Sequence, residues 1–468
     1  MKEITYPIRS RTLKDIATQE TLDNLIAQIE NWQQGVGNYG LLNLHSCWGK
    51  TSVLDKRYQG QTVSNYQGLA AVFKRLYETT KNPKWWHKTN DVIRNVLYLQ
   101  QPDGGFRHAS SEFEPTFDSR ATCPIHQGKA ALTLLEYYDW EYADSKIKEL
   151  IKPAIDRHWE YFNDYFWCLG NAGRRPHPYK AGWCGVTNQD LVAVGMLAYY
   201  YKCFGDKSRY DEFGKPTLDL ILSDEYYYKD MGLFERGDGE NFTERTPYYV
   251  IIIHMLETIY SIMHDERIPD VIDNVVCHLF DAAYTGEDGL IHLAWGAKTD
   301  ENDKSHVTGW IQTPTVFDSY IDIIKLMDKY LKKHPNEEKQ RILDSLTETF
   351  CAYFYCDGTI PAALWGKNPI FEIFVRPGRD GLIMLIMDLL GDNVQDPKPV
   401  EPLCIHRKYG EYTFKQKDKY WAIEENGKRL YGGYTPCAFG ITHGDEAPVF
   451  GSFDLLDTPD IVEIIKNQ

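Results

Sequence analysis

The chain has 468 residues, 43% hydrophobic and 25% charged, the balance of a soluble globular protein with room for two or three ordinary domains or one closed array of repeats. A net charge of −16 excludes nucleic acid and anionic membrane surfaces as natural partners, since both call for a basic face that neutralises phosphate. The opening residues lack the apolar stretch of a secretory leader, and the longest aliphatic run, Val250-Ile251-Ile252-Ile253, is too short to cross a bilayer. The 10 cysteines include no C-x-x-C pair and no zinc spacing, so a cytoplasmic protein with reduced thiols and no metal is expected.

Apolar residues recur at helical spacing over 13–34 (Ile16, Leu22, Leu25, Ile26, Ile29) and over 64–80 (Leu69, Ala70, Val72, Phe73, Leu76). Pro83 opens a further helix to 101, because proline in a first turn forfeits only an N–H that would lack a partner anyway. Helix pairs follow at 127–139 with 147–161, 188–204 with 210–222, 247–263 with 269–283 and 315–330 with 336–355. A last helix over 378–390 then pairs with the first, completing six hairpins.

Links within the hairpins are short and polar (Lys81-Asn82-Pro83, Gly205-Asp206-Lys207, His264-Asp265-Glu266), whereas links between them run about 25 residues or more and hold most of the Trp, His and Arg. Loops of that length are uncommon unless they are functional. They run into helices at Tyr66, His126, Asn188, Pro247, Pro314 and Gly378, at steps of about 60, 62, 59, 67 and 64 residues. That is the period of a repeat architecture, with all six helix starts on one rim facing a common hollow. A second signature recurs after the outer helices: Asp103-Gly104-Gly105-Phe106, Gly232-Leu233-Phe234, Asp288-Gly289-Leu290-Ile291 and Asp357-Gly358-Thr359-Ile360, each a tight reversal into a short strand. Beyond Cys404 the pattern alternates over 409–414, 420–424 and 429–434 around Asn426-Gly427, which reads as a small β-hairpin appendage. The expected division is a helical body over 1–400 and an appendage over 401–468.

This plan, all-α with six hairpins in a ring, resembles the (α/α)6 toroid. Within it, Asp288-Gly289-Leu290-Ile291-His292-Leu293-Ala294-Trp295-Gly296, followed by Thr308-Gly309-Trp310, is similar to a stretch of unsaturated uronyl hydrolases, which remove the unsaturated uronic acid left by polysaccharide lyases. Gly296 stands where those enzymes carry an acid, and His292 is displaced by one position. The resemblance implies a toroid that acts on carbohydrate. Polysaccharide lyases, sugar 2-epimerases and enzymes of the linalool dehydratase-isomerase type use related rings, so fold alone does not choose among them.

The loop before the second helix start gathers Arg107, Glu112, Glu114, Asp118, Arg120 and His126. Carboxylates beside one another or beside arginine are driven to different pKa values, as acid–base chemistry requires. Asp118 is the first candidate acid, and a salt bridge internal to the loop is the plainer alternative. Asp190 is the second, although it or Asn188 can simply complement a helix end. Glu244, Arg245 and Tyr248 supply a further acid, a ligand for a substrate carboxylate, and a proton donor or stacking ring. His126 or Tyr248 would take the proton α to a uronate carboxylate in a lyase. Arg107, Arg120, Arg175, Arg245 and Arg376 suit a carboxylate-bearing ligand, because guanidinium grips carboxylate bidentately. Tyr66, Glu112, Asn188 and His292 are further candidate contacts. Trp295, Trp310 and Trp365 offer flat faces to sugar rings or fill gaps between helices in equal measure.

The sequence thus reads as a carbohydrate-active enzyme, a glycoside hydrolase for short uronate-containing oligosaccharides, with one rim carboxylate protonating the leaving oxygen or vinyl ether and another activating water. The alternatives are a β-eliminating lyase, a terpenoid alcohol dehydratase-isomerase built on Cys168, Cys184, His126 and Tyr66, and a non-catalytic glycan-binding ring. There is no Gly-rich dinucleotide fingerprint, P-loop or Gly-x-Ser-x-Gly, so no organic cofactor is expected. Self-association is left open.

Overall fold

In chain order the helices are α1 (Leu13–Ile16), α2 (Gln19–Trp32), α3 (Tyr66–Thr80), α4 (Pro83–Tyr98), α5 (Pro124–Tyr138), α6 (Ser145–Phe166), α7 (Thr187–Phe204), α8 (Lys215–Ile221), α9 (Tyr249–Met263), α10 (Ile268–Leu279), α11 (Tyr320–Lys333), α12 (Glu337–Tyr353) and α13 (Asp380–Leu390). The computed structural model describes residues 2–34, 41–42, 63, 66–106, 123–167, 181–236, 243–300, 302–303, 306–312, 319–354, 359–361, 375–377, 380–400, 405–409, 412–417 and 420–434. Helices α3, α5, α7, α9, α11 and α13 touch in that order, and α13 touches α3, so six inner helices close a ring. The partner helices α4, α6, α8, α10 and α12 lie outside it, and α2 packs on α13 as the sixth. This is the (α/α)6 toroid expected from the repeat. No helix among the described residues is long and apolar enough to cross a membrane.

Sequence explains the layering. In α7 every residue from Leu191 to Ala198 is buried, the mark of a helix enclosed on all sides, whereas α4 and α10 bury a single face. Tight inner packing rests on glycine. A Cβ on Gly128 of α5 would sit 2.7 Å from Val192 Cγ1 on α7, and one on Gly195 of α7 would sit 2.8 Å from Met255 Sδ on α9. The seam is closed on the short-turn side. There Trp85 Nε1 and Asn82 Nδ2 donate to Asp396 at 2.7 and 2.6 Å, while Gln19 exchanges hydrogen bonds with the backbone of Gln395.

Three departures from expectation have physical causes. The first helix breaks at Ala17-Thr18, where Thr18 Oγ1 accepts the N–H of Thr21 and starts α2 afresh. The 210–222 helix opens as a π-helical turn over Tyr210–Gly214, with the Tyr210 ring against Gly214, where a Cβ would meet it at 2.9 Å. The starts at Pro314 and Gly378 lie outside the described residues. Finally, the appendage is a five-stranded sheet in the order Lys2–Thr5, Ile405–Tyr409, Tyr412–Lys417, Tyr420–Glu425, Lys428–Tyr434. Its first member pairs parallel with Ile405–Tyr409, so the chain's opening residues belong to it and the division at 400 is incomplete. The Asn426-Gly427 turn takes the positive φ values (49° and 80°) that its composition implied.

Alanine normally improves a helix over glycine by about 1 kcal/mol. At Gly128 the new methyl meets a stiff β-branched neighbour and overpacking should outweigh that gain, so G128A is expected to destabilise by about 1 kcal/mol. At Gly195 the neighbour is a flexible methionine, and G195A is expected to be neutral or stabilising. Equilibrium denaturation of both variants checks the contrast, and equal effects would contradict it.

Candidate functional site

Four inner helices each use a side chain from the first turn to receive a backbone N–H of the preceding loop. Gln127, fourth in α5, accepts the N–H of Phe106 (2.8 Å) and donates to its C=O (2.6 Å). Asp190, fourth in α7, accepts the N–H groups of Trp183 and Cys184 on Oδ1 (2.9 and 3.0 Å) and of Gly185 on Oδ2 (3.0 Å). Tyr249, fourth from the start of the 3-10 turn Thr246–Tyr248 that leads into α9, accepts the N–H of Phe234 at 3.0 Å. Tyr320 accepts that of Leu293 at 3.1 Å. Three of the glycine signatures therefore share a structural role: Gln100 bridges Phe106, Tyr227–Tyr228 pairs with Leu233–Phe234, and Ala283–Thr285 pairs with Ile291–Leu293, while Asp357-Gly358 lies outside the described residues. Gly104, at φ +96°, leaves room for the Arg157 carbonyl where a side chain would collide.

Asp190, a candidate acid in the sequence, is part of this arrangement. Its carboxylate is buried and engaged by three backbone donors, occupying the position that an amide holds in α5 and a phenol in α9. Burial pushes its pKa up to about 6 against the pull of those donors. These contacts organise the loop.

Glu244 serves the next element. It is fully buried, with Oε1 2.8 Å from Arg236 Nη1 and 3.0 Å from the Arg245 N–H, and Oε2 accepts the Asn188 N–H at 3.4 Å. It thus satisfies a free donor at the start of α7, where Thr187 also gives its N–H to the Arg236 carbonyl and its hydroxyl to that of Glu235. Burial raises the Glu244 pKa, with Arg236 opposing. Arg236 lies 5.5 Å over the Tyr248 ring, Arg245 lies 5.5 Å over Trp295, and Tyr248 meets Trp295 edge-on at 6.4 Å. These contacts bring Glu244, Arg245, Asn188, Tyr248 and Trp295 together. However, Trp295 is 1% exposed with one face covered by Arg245, so it is a support for the cluster and not an open platform. Asn188 Oδ1, Trp183 Nε1 and Trp295 Nε1 are buried and have no hydrogen-bond partner among the described residues.

The third position of the first turn behaves differently from the fourth. His126, Gln189 and Tyr248 share it and all three are partly exposed. Tyr66, by contrast, is 1% exposed within the core and offers no surface to a ligand. Trp310 is partly buried at the end of strand Val307–Trp310, opposite Ala297. Arg376 lies in strand Val375–Pro377, opposite Ile360. Arg107, Glu112, Asp118, Arg120, Arg175, Trp365 and Cys168 lie outside the described residues. Cys184 is partly exposed, and burial around its sulfur drives its thiol pKa well up, which disfavours a thiolate nucleophile there.

His292 has its own set of partners. Its Nε2 meets Asp288 Oδ1 at 2.9 Å, its Nδ1 meets Tyr320 Oη at 3.3 Å, and it is 2% exposed, so both nitrogens are engaged inside the fifth repeat. Tyr353 donates to Asp288 Oδ2 at 2.8 Å, extending the chain to α12. The motif that suggested a substrate contact is a turn lock.

Reasoning from loops missed the ring's interior. Gln67 of α3 donates to Glu136 of α5 at 2.7 Å, and the Lys74 ammonium reaches the Glu136 carbonyl at 3.3 Å. Burial raises the Glu136 pKa, while Lys74 and His254 pull it down. His254 is on α9, and α7 stands between α5 and α9, so both side chains project inward across the ring. His254 is exposed even though it lies mid-helix. A lone histidine in the apolar run Val250–Met263 was the available signal. Among the described residues no group of three or more His, Cys, Asp or Glu is arranged to hold a metal ion.

The Asp288 lock gives a signed pH dependence. Burial alone would raise the Asp288 pKa, but His292, the Leu290 N–H and Tyr353 lower it to about 2. An acid with a depressed folded pKa stabilises above its unfolded value, near 3.9, and loses that contribution as pH falls toward the folded value. D288N should therefore cost about 2 kcal/mol at neutral pH, and the gap to the native protein should narrow as pH drops from about 4 toward 2. Denaturant titrations across that range test it, and a gap independent of pH would contradict it.

No protein-family model matches this sequence, and no curated protein matches it. Solved structures do. The chain is similar to a sugar epimerase from a ruminal bacterium at TM-score 0.57 and 13% identity, over 81% of this chain and 98% of that one. It is similar to cellobiose 2-epimerase from Bacillus thermoamylovorans B4167 at TM-score 0.55 and 10% identity, over 79% and 99%. It is similar to a D-mannose isomerase at TM-score 0.55 and 12% identity, over 82% and 99%. None of these three is an unsaturated uronyl hydrolase, and at such identities the likeness is one of fold: the chain is built as an (α/α)6 toroid.

Proposed function

We propose that this protein is a carbohydrate-active enzyme that moves a proton on a sugar in the hollow of its toroid, as an aldose isomerase or 2-epimerase does. The observation that carries this reading is the allocation of titratable groups. Two of the candidate acids are engaged, Asp190 by three backbone donors and Glu244 by Arg236 and two N–H groups. Histidines remain partly or fully exposed at the rim (His126) and within the ring (His254). Shifting a proton at the carbon beside a sugar carbonyl calls for a base that titrates near neutrality, which is the ordinary range of imidazole. It also calls for donors around the oxygen that gains charge, for which Arg245 and Tyr248 stand in the neighbouring first turn. Epimerisation would use the two histidines on opposite faces, and isomerisation one of them as a shuttle. The neighbours named above, which share the fold, include two epimerases and an isomerase of sugars.

A glycoside hydrolase for uronate-containing oligosaccharides is the second reading. It is favoured by Arg236 and Arg245, which lie with the buried Glu244 at the rim, because guanidinium suits a substrate carboxylate. It would require Asp118 as the free acid.

Incubation with aldoses, cellobiose among them, in deuterated water and proton NMR separates the readings. Deuterium at C2 with a ketose or C2 epimer is expected, falling about 10²- to 10⁴-fold in His126→Ala or His254→Ala proteins that keep native circular dichroism. Release of new reducing ends, or loss of the near-ultraviolet absorbance of an unsaturated uronate, without C2 exchange would transfer support to the hydrolase. Gain of that absorbance would mark a β-eliminating lyase instead.

A further inference from the structure

Away from the rim, on the outer side of the ring, α10, α11 and α12 meet around one ammonium. Lys339 is third in α12, a poor place for a positive charge because it faces the positive end of that helix dipole. Its side chain leaves α12 and crosses to the last turn of α10, where Nζ donates to the carbonyl of Cys277, one of the acceptors that a helix end leaves unpaired. Phe280 at 4.9 Å and Tyr330 at 5.9 Å place ring faces beside the same ammonium. These contacts hold Nζ 3.0 Å from Cys277 Sγ. Both side chains are partly exposed, so small solutes reach them.

We propose that Cys277 and Lys339 are a redox-modification site, in which oxidation of the thiol by a peroxide joins the two side chains through a sulfur–nitrogen bond. The Cys277 sulfur attacks one peroxide oxygen, the O–O bond breaks, and one water leaves with the thiol proton, giving a sulfenic acid. Lys339, having released one proton to solvent, attacks that sulfur through its nitrogen lone pair. The S–O bond breaks, a second water departs, and a sulfenamide links α10 to α12. One peroxide is reduced to two waters, and the pair is oxidised by two electrons. The lysine supplies a nucleophile already in contact with sulfur, which is what turns a condensation normally limited by encounter into a local one. A dithiol reverses it by attacking the sulfur and returning amine and thiol. The site is independent of the proposed sugar chemistry, since no residue of it belongs to the rim or the hollow.

Peptide mapping of the full-length protein after hydrogen peroxide treatment tests this. The expected product joins the Cys277 peptide to the Lys339 peptide with the loss of two hydrogens, loses tryptic cleavage at Lys339, and is released by dithiothreitol. In Lys339→Gln the link should vanish, with Cys277 trapped as sulfenic acid by dimedone or carried on to sulfinic acid, and in Cys277→Ser no product should form. Wild-type protein whose Cys277 stays reduced, or is oxidised to oxygen-bearing acids with Lys339 unlinked, overturns the proposal.

Discussion

In four repeats of this toroid a backbone N–H of the loop is received by a side chain from the first turn of the next inner helix, and the rim depends on this recurring contact. Such loops bring backbone donors under cover, and each one left unpaired would cost about 1–3 kcal/mol. Gln127, Asp190, Tyr249 and Tyr320 meet this demand with an amide, a carboxylate and two phenols. The chemistry varies while the geometry stays. That substitution of one acceptor for another explains why the repeat is plain in spacing yet faint in residue identity.

Fixing the fourth residue of the first turn also decides what the third can do. His126, Gln189 and Tyr248 are partly exposed one position before the buried tether. Beside them, Glu244 is held at the start of α7 by Arg236 and two N–H groups. A buried ion pair of this kind adds little net stability, but losing one partner leaves an uncompensated charge. Its contribution here is to fix Arg236 and Arg245 against Tyr248 and Trp295.

Helix periodicity, the six helix starts and the Asp-Gly turns made the ring readable before any coordinates, because each is a local signal. The site was less readable because its partners are remote in sequence. Asp190 has the look of a rim acid, and only the nearby fold of Trp183 to Gly185 around it reveals a tether. His292 lies in a suggestive motif, but Tyr320 and Asp288 occupy both of its nitrogens. The strand Lys2–Thr5 has no alternation to announce it, and its partner lies at the other end of the chain. Glu136 and His254 sit on helices that read as core, and their inward direction follows only from ring closure.

Amide hydrogen exchange at Phe106, Trp183, Phe234 and Leu293 tests the central claim most directly. If first-turn tethers hold the loops to the ring, these four amides should exchange as slowly as the buried amides of α7, opening only when the ring itself opens. Exchange at the rate of solvent-exposed loop amides, with α7 still protected, would mean that the loops are not fixed by these contacts and that the rim does not form as described.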